Sequence, residues 1–367
     1  MESARVLGQN HITKHFENAI KMEKISHAYI INGEKGTGKM RLAVEFAKAL
    51  QCVENNPEFY ADNNLQFDFG VEMIDSTGTG DNLKEGSNKK IVTGRACNQC
   101  KSCKQTDSKN QPDIKYVTYE KSGIGVDEIR EQINDDIDIK PYSSRYKIYI
   151  VADSEKMTVQ AQNALLKTIE EPPEYAIIIL LTTNADMFLP TILSRCVLLN
   201  IRPVKEEIIK NQLMAEYGVS SYEANVAAVF SGGNPGKAIQ LATSEDFKEL
   251  KQHVVGMLTS LERGGMDTIS SHIKEAASFK KQIEEYFSLM QIWFRDVLLY
   301  KATKDIDSLI FQDDYKWVQD MSEKTSYWGL NDILKAIDYA WSRIKSNVNF
   351  DVTMEVLFLA IKERIRK

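Results

Sequence analysis

No apolar run in this chain approaches the twenty or so residues that a membrane-spanning helix needs, and no charged-then-apolar leader opens it. The reading is a cytoplasmic protein with no membrane partner. An excess of basic charge is also missing: 46 Lys and Arg face 52 Asp and Glu, a net charge of −6. A free-standing, high-affinity nucleic-acid binder is usually basic, so any DNA contact is local or shared with other chains. Cysteine is sparse, at five residues. In a reducing compartment five cysteines do not read as a disulfide framework. Three of them, Cys97, Cys100 and Cys103, have the spacing C-x2-C-x2-C, which suits thiolates converging on one metal ion. The 367 residues exceed one ordinary core and imply two or three domains.

What is present begins with GEKGTGKM, Gly33 to Met40. In the pattern G-x-x-x-x-G-K-[ST], loop amides surround phosphates, the Lys reaches the β- and γ-phosphates, and the final hydroxyl binds Mg²⁺. Gly33, Gly36, Thr37, Gly38 and Lys39 are in place, but the last position is Met40. A thioether is a soft ligand, and Mg²⁺ takes hard oxygens in octahedral geometry. A short apolar run (25–32) precedes the loop, and Leu42, Ala43, Phe46, Ala47 and Leu50 follow at helical spacing. Strand, glycine loop, helix is the context that a phosphate loop requires.

Residues 53–96 are rich in Asn, Gly, Asp and Lys and read as a flexible insertion, with a small hairpin around Val71–Ile74 and Lys90–Thr93. Strands are expected over Ile114–Tyr119, Tyr146–Ala152, Ala176–Thr182 and Cys196–Ile201, with helices over Val126–Ile137 and Thr158–Glu170. This alternation predicts an α/β domain, a parallel sheet flanked by helices. Beyond Pro203 the strand signal ends. Helices are expected over Val204–Tyr217, over Ser220–Phe230 with a Ser220/Glu223 capping box, and from Asn234-Pro235. From about residue 247 the pattern is all helix. It holds all four tryptophans, Trp293, Trp317, Trp328 and Trp341, and a broad apolar stripe over Gln282–Tyr300, which points to a separate core or a buried interface.

NALLKTIEEPP (Asn163–Pro173), LLTTN (Leu180–Asn184) and LPTILSRC (Leu189–Cys196) follow in order, after the opening VLGQNHITKHFENAI and SHAYIINGEKGTGK. Together they resemble the clamp-loader branch of the AAA+ ATPases, over roughly residues 4–52 and 97–245. The resemblance implies an AAA+ P-loop domain over 1–203 with a zinc module at about 52–103, a small helical lid over 204–246, and an all-α collar over 247–367. Counting back from NALLKTIEEPP without a gap puts Ala152 where the family's motor subunit has its Mg²⁺ aspartate, and Asp153 where it has the catalytic glutamate. With Met40, all three metal or water positions depart from the motor pattern. The resemblance therefore points to the family's non-hydrolysing branch, with no Mg²⁺ site. ATP, ADP or phosphate remains a candidate ligand of the loop.

The same resemblance gives Ser194-Arg195-Cys196 a purpose. In the family this arginine reaches across a subunit interface to ATP held by a neighbouring motor subunit, where such a guanidinium is worth ~10³–10⁵ in rate. Thr183 and Asn184 fall where AAA+ proteins carry a polar sensor of the γ-phosphate. Lys237 falls where active relatives have a sensing arginine. The EEPP step reads structurally, two prolines ending a helix. A tetrahedral site needs a fourth ligand beside Cys97, Cys100 and Cys103. Cys52, after the helix that follows the loop, is the candidate, and family members place a cysteine there too. The intervening 44 residues, 53–96, are more than relatives usually have, but loop-closure cost grows only logarithmically. Zinc is favoured over an iron–sulfur cluster, since no Cys-Pro follows at ferredoxin spacing, and Cys196 reads as a packed thiol. The implied partners are the tau/gamma ATPase subunits, the delta subunit, and the β sliding clamp and primed DNA reached through the assembly. An ATP-hydrolysing tau/gamma-type motor and a stand-alone zinc-containing DNA-binding protein are the alternatives.

Overall fold

The computed structural model describes residues 7–62, 92–119, 123–261 and 263–365. They divide into two compact units, Met1–Pro203 and Val204–Lys367. The first unit runs α1 (Asn10–Lys21), β1 (Ala28–Asn32), α2 (Lys39–Leu50), a 3-10 turn, α3 (Pro57–Asp62), α4 (Lys101–Asp107), β2 (Ile114–Val117), α5 (Val126–Ile129), a π turn, α6 (Asp135–Ile137), β3 (Lys147–Val151), α7 (Val159–Glu170), β4 (Ala176–Thr182), α8 (Pro190–Leu193) and β5 (Val197–Asn200).

Five parallel strands pair in the order β2-β3-β4-β1-β5. Every residue of β3 and β4 is buried, as in a sheet covered on both faces. One face packs on α1 and α2 through Phe16, Tyr29 and Phe46, and the Phe16 and Phe46 rings stack with centroids 3.9 Å apart. The other face packs on α5 and α7 through Ile129, Leu165 and Ile169. The expected strands are all present, each shorter at its ends by up to two residues except Ala176–Thr182, which matches. Thr158 caps α7 by accepting the Ala161 amide, so the helix proper starts one residue later than the periodicity implies. The expected helix over Val126–Ile137 is interrupted by the π turn at Arg130–Asn134.

Within 53–96, Val53–Asn55 and Pro57–Asp62 are helical. Asn55 holds this edge together, donating from Nδ2 to Ala49 O and Arg95 O at 2.9 and 3.0 Å. The expected hairpin lies outside the described residues, apart from Val92 and Thr93, which are not in a strand.

The second unit is helical among its described residues: α9 (Glu206–Tyr217), α10 (Ser221–Phe230), α11 (Pro235–Thr243), α12 (Glu245–Leu261), α13 (Met266–Ser278), α14 (Ile283–Thr303), α15 (Tyr315–Lys324), α16 (Tyr327–Lys345) and α17 (Phe350–Ile365). The Ser220/Glu223 capping box forms, and Asn234 caps the helix that begins at Pro235. Tyr286, Phe287, Met290, Trp293, Phe294 and Val297 of α14 are buried, so the apolar stripe is a core. The tryptophans divide differently. Trp293 is fully buried and Trp341 half-buried against Phe287, while Trp328 is 80% exposed.

Candidate functional site

The phosphate loop leaves β1 and enters α2 at the C-terminal edge of the parallel sheet, where open α/β folds bind ligands. Gly36 and Gly38 both have φ of 90°, a left-handed conformation that a side chain resists. At Gly33 the limit is space, because a Cβ there would lie 2.9 Å from Ile201 Cβ. The Gly33 amide donates to Thr182 O at 3.1 Å, tying the loop to the end of β4. Lys39 reaches back across its own loop and donates from Nζ to Gly33 O and Glu34 O, the second at 2.9 Å. An ammonium has three donors, and these two bonds close the loop. Thr37 donates its hydroxyl to Glu34 O at 2.7 Å. The N-cap of α2 is Gly38, which supplies no side-chain bond, so the first-turn amides keep the partial positive charge that favours an anion.

The acidic side of the site differs from the motor arrangement. Met40 is 39% exposed and brings no oxygen. Ala152 follows the last residue of β3. Asp153 has φ of 46°, and its carboxylate accepts the Tyr119 hydroxyl at 2.8 Å and pairs with Lys156 at 3.3 Å. The Tyr119 hydrogen bond, with Lys156, holds Asp153 below the usual carboxylate range. Gap-free counting assigns no role to Glu155, which lies in the same acidic run after β3. Its carboxylate accepts the Thr183 hydroxyl at 2.7 Å and the Thr183 amide at 3.2 Å. Burial alone would raise Glu155, but these bonds outweigh it and hold the carboxyl low. Burial in turn lowers the Lys39 ammonium, and the charges of Glu155, Asp153 and Glu34 oppose that shift. Among those acids the charge of Glu155 bears most on the loop lysine, from two residues beyond the position that gap-free counting gives for the catalytic acid. Asn184 caps a local turn, its side-chain oxygen accepting the Asp186 amide at 3.0 Å. Lys237 lies in the second unit, in the first turn of α11.

Arg195 follows α8 and is exposed. Its Nη1 donates to Thr191 O at 3.1 Å and Ser194 Oγ at 3.3 Å, and its Nη2 lies 3.0 Å from Glu170 Oε1 at the end of α7. The next residue, Cys196, is half-buried, and burial pushes its thiol up to about 12.

Cys52, Cys97, Cys100 and Cys103 come together, their sulfurs all within 4.8 Å of one another. A tetrahedral ion with bonds of about 2.3 Å to sulfur separates its sulfurs by about 3.8 Å, and Cys97 and Cys103 Sγ are 3.9 Å apart. Backbone amides of Cys97, Cys100 and Cys103 point at the sulfurs of Cys52, Cys97 and Cys100 at 3.3 to 3.4 Å, an arrangement that favours thiolate. The donor set and spacing fit a metal ion bound by four cysteines. A 2.7 Å ion pair, Lys48 to Asp107, joins α2 and α4 beside the cluster.

Comparison with known proteins agrees with this geometry. The family model described as DNA polymerase III, delta subunit, matches residues 8–66 and 83–205. The chain is 26% identical to DNA polymerase III subunit delta' of Bacillus subtilis over 97% of this chain and 96% of that protein. It is 28% identical to subunit tau of the same organism over 83% of this chain, but spans only 51% of tau. A DNA polymerase III gamma subunit-related protein from Thermotoga maritima aligns structurally with a TM-score of 0.39 and 20% identity, over 96% of this chain and 99% of that one. That score is low, so the assignment rests on the sequence relatives. They and the phosphate loop on a five-stranded parallel sheet make the chain a member of the DNA polymerase III clamp-loader family of AAA+ proteins.

Proposed function

We propose that the chain is a delta-prime-type subunit of a bacterial DNA polymerase III clamp loader, which does not hydrolyse ATP itself and lends Arg195 to the ATP site of a neighbouring tau/gamma-type subunit. One contrast carries the reading. The guanidinium of Arg195 stands exposed at the end of a short helix. The chain's own site meanwhile has Met40 at the end of the loop, and Ala152 and a diverted Asp153 after β3, where a motor subunit needs a hydroxyl and two acids. A guanidinium at such an edge neutralises charge on a transferred phosphoryl group held by another chain, an effect worth ~10³–10⁵ in rate.

The loop itself remains a phosphate cradle, and its role is to bind ATP, ADP or phosphate without Mg²⁺ chemistry. Thr183, Asn184 and Lys237 are the candidate sensors of a bound nucleotide. Cys52, Cys97, Cys100 and Cys103 hold a structural zinc ion, which supplies cross-linking rather than catalysis. Residues 204–246 act as lid and 247–367 as collar, through which the chain joins tau/gamma and delta subunits. The complex loads the β clamp onto primed DNA in the cytoplasm, and the chain's acidic balance suits a DNA contact shared among subunits.

Reconstitution with tau/gamma-type and delta-type subunits tests the proposal. Arg195→Ala is expected to fold and assemble but to lower DNA-stimulated ATP hydrolysis and clamp loading. Unchanged activity, or ATP turnover by the isolated wild-type chain, would overturn it.

A further inference from the structure

We infer that Glu170 is a positioning residue for Arg195, an inference that rests on Arg195 being the group offered to a neighbour's nucleotide. Arg195 is exposed and has a long, rotamer-rich side chain, yet three acceptors from two elements fix its guanidinium. Thr191 O and Ser194 Oγ, from α8 and its end, take Nη1, and Glu170 Oε1, from the end of α7, lies against Nη2 at 3.0 Å. The first two belong to the same short helical turn as the arginine and move with it. Glu170 is the contact that ties the guanidinium to a separate helix, whose inner face (Ala161, Leu165, Ile169) is packed in the core.

Helix stability does not explain a glutamate at this place. A carboxylate in the last turn of a helix meets the negative end of the macrodipole, where a cation is favoured. Here Glu170 is the last helical residue and another acid, Glu171, is the C-cap. Pro172 and Pro173 end the helix without needing either charge. Nor is the pair a strong stabiliser, since both side chains are more than 40% exposed and exposed ion pairs contribute little to folding. What the contact does supply is direction. Glutamine at 170 keeps an oxygen in reach of Nη2, whereas alanine leaves Arg195 attached only to its own turn.

The test is a double-mutant cycle in the reconstituted complex with clamp and primed DNA, reading single-turnover ATP hydrolysis, with thermal melting of each variant as a check on folding. Arg195 faces one neighbour, so R195A should remove one phase of hydrolysis. E170A should slow that same phase about fivefold with the half-saturating ATP concentration unchanged, and E170Q should stay within about twofold of wild type. In the R195A background, E170A should change nothing further. An E170A phase as fast as wild type, an equal E170A effect in both backgrounds, or E170Q as slow as E170A would overturn the role of Glu170. A phase that survives R195A would instead remove the arginine itself, and with it both readings.

Discussion

Stripping zinc from the four-cysteine module should destabilise the first unit by an amount that chain entropy sets. Binding Cys52 and Cys97 to one ion closes a loop whose interior is residues 53–96. Cross-linking a loop of that length removes about 4 kcal/mol of entropy from the unfolded chain. The ion also holds the end of α2 to α4, where Cys52, Cys100 and Cys103 are at most 1% exposed. Chelation removes the ion that the four sulfurs share and leaves backbone amides to partner those of Cys52, Cys97 and Cys100. For a unit of this size, 1 kcal/mol moves Tm by ~2–4 °C, which places the shift at ~8–16 °C. Metal analysis of the purified chain should give one zinc per chain. Melting before and after treatment with a strong chelator, followed by circular dichroism, measures the shift, and Cys103→Ser should reproduce it. Zinc-free protein as purified, or a melting temperature unchanged by both treatments, would refute the reasoning.

Four further outcomes follow from two other parts of the molecule. Because Met40, Ala152 and Asp153 offer no octahedral oxygen set, the isolated chain should bind ADP equally with Mg²⁺ and with chelator, by calorimetry. Lys39→Ala should weaken that binding at least ~tenfold, and a tenfold gain from Mg²⁺ would contradict the metal-free cradle. In the second unit, Asp296 is fully buried and its Oδ2 accepts the Ile310 and Phe311 amides at 2.7 and 2.8 Å. Asp296→Ala should cost about 2–4 kcal/mol through two unpaired amides, read by denaturant unfolding with tryptophan fluorescence. Burial raises the Asp296 carboxyl above its usual range. Its charged form therefore costs stability that is regained as pH falls through the raised value. Asp296→Asn should remove that pH dependence, and an unchanged dependence would show that another group carries it.

Much of the layout was legible because it rests on local signals. The alternation of apolar periods located the strands, Ser220 and Glu223 marked a helix start, and the cysteine spacing together with Cys52 named a cluster that the fold does assemble. What escaped is tertiary. Strand order depends on crossovers that periodicity does not encode. Glu155 meets Thr183 across 28 residues, and Glu170 meets Arg195 across about as many, so neither pairing leaves a trace in a window of sequence. The EEPP step read as a helix stop because its prolines are a local signal, while the partner of its first glutamate is not. The tryptophans show a related limit, since composition cannot separate a core residue such as Trp293 from one that faces outward, such as Trp328.

The central claim is that the chain's chemistry is done on another subunit's nucleotide. Single-turnover ATP hydrolysis by the reconstituted complex, wild type against Arg195→Ala with assembly confirmed by gel filtration, tests it most directly. The account predicts that the variant complex assembles and keeps hydrolysis at sites Arg195 does not reach, while the site it does reach slows by ~10³ or more. Hydrolysis with wild-type rate and amplitude at every site would contradict it.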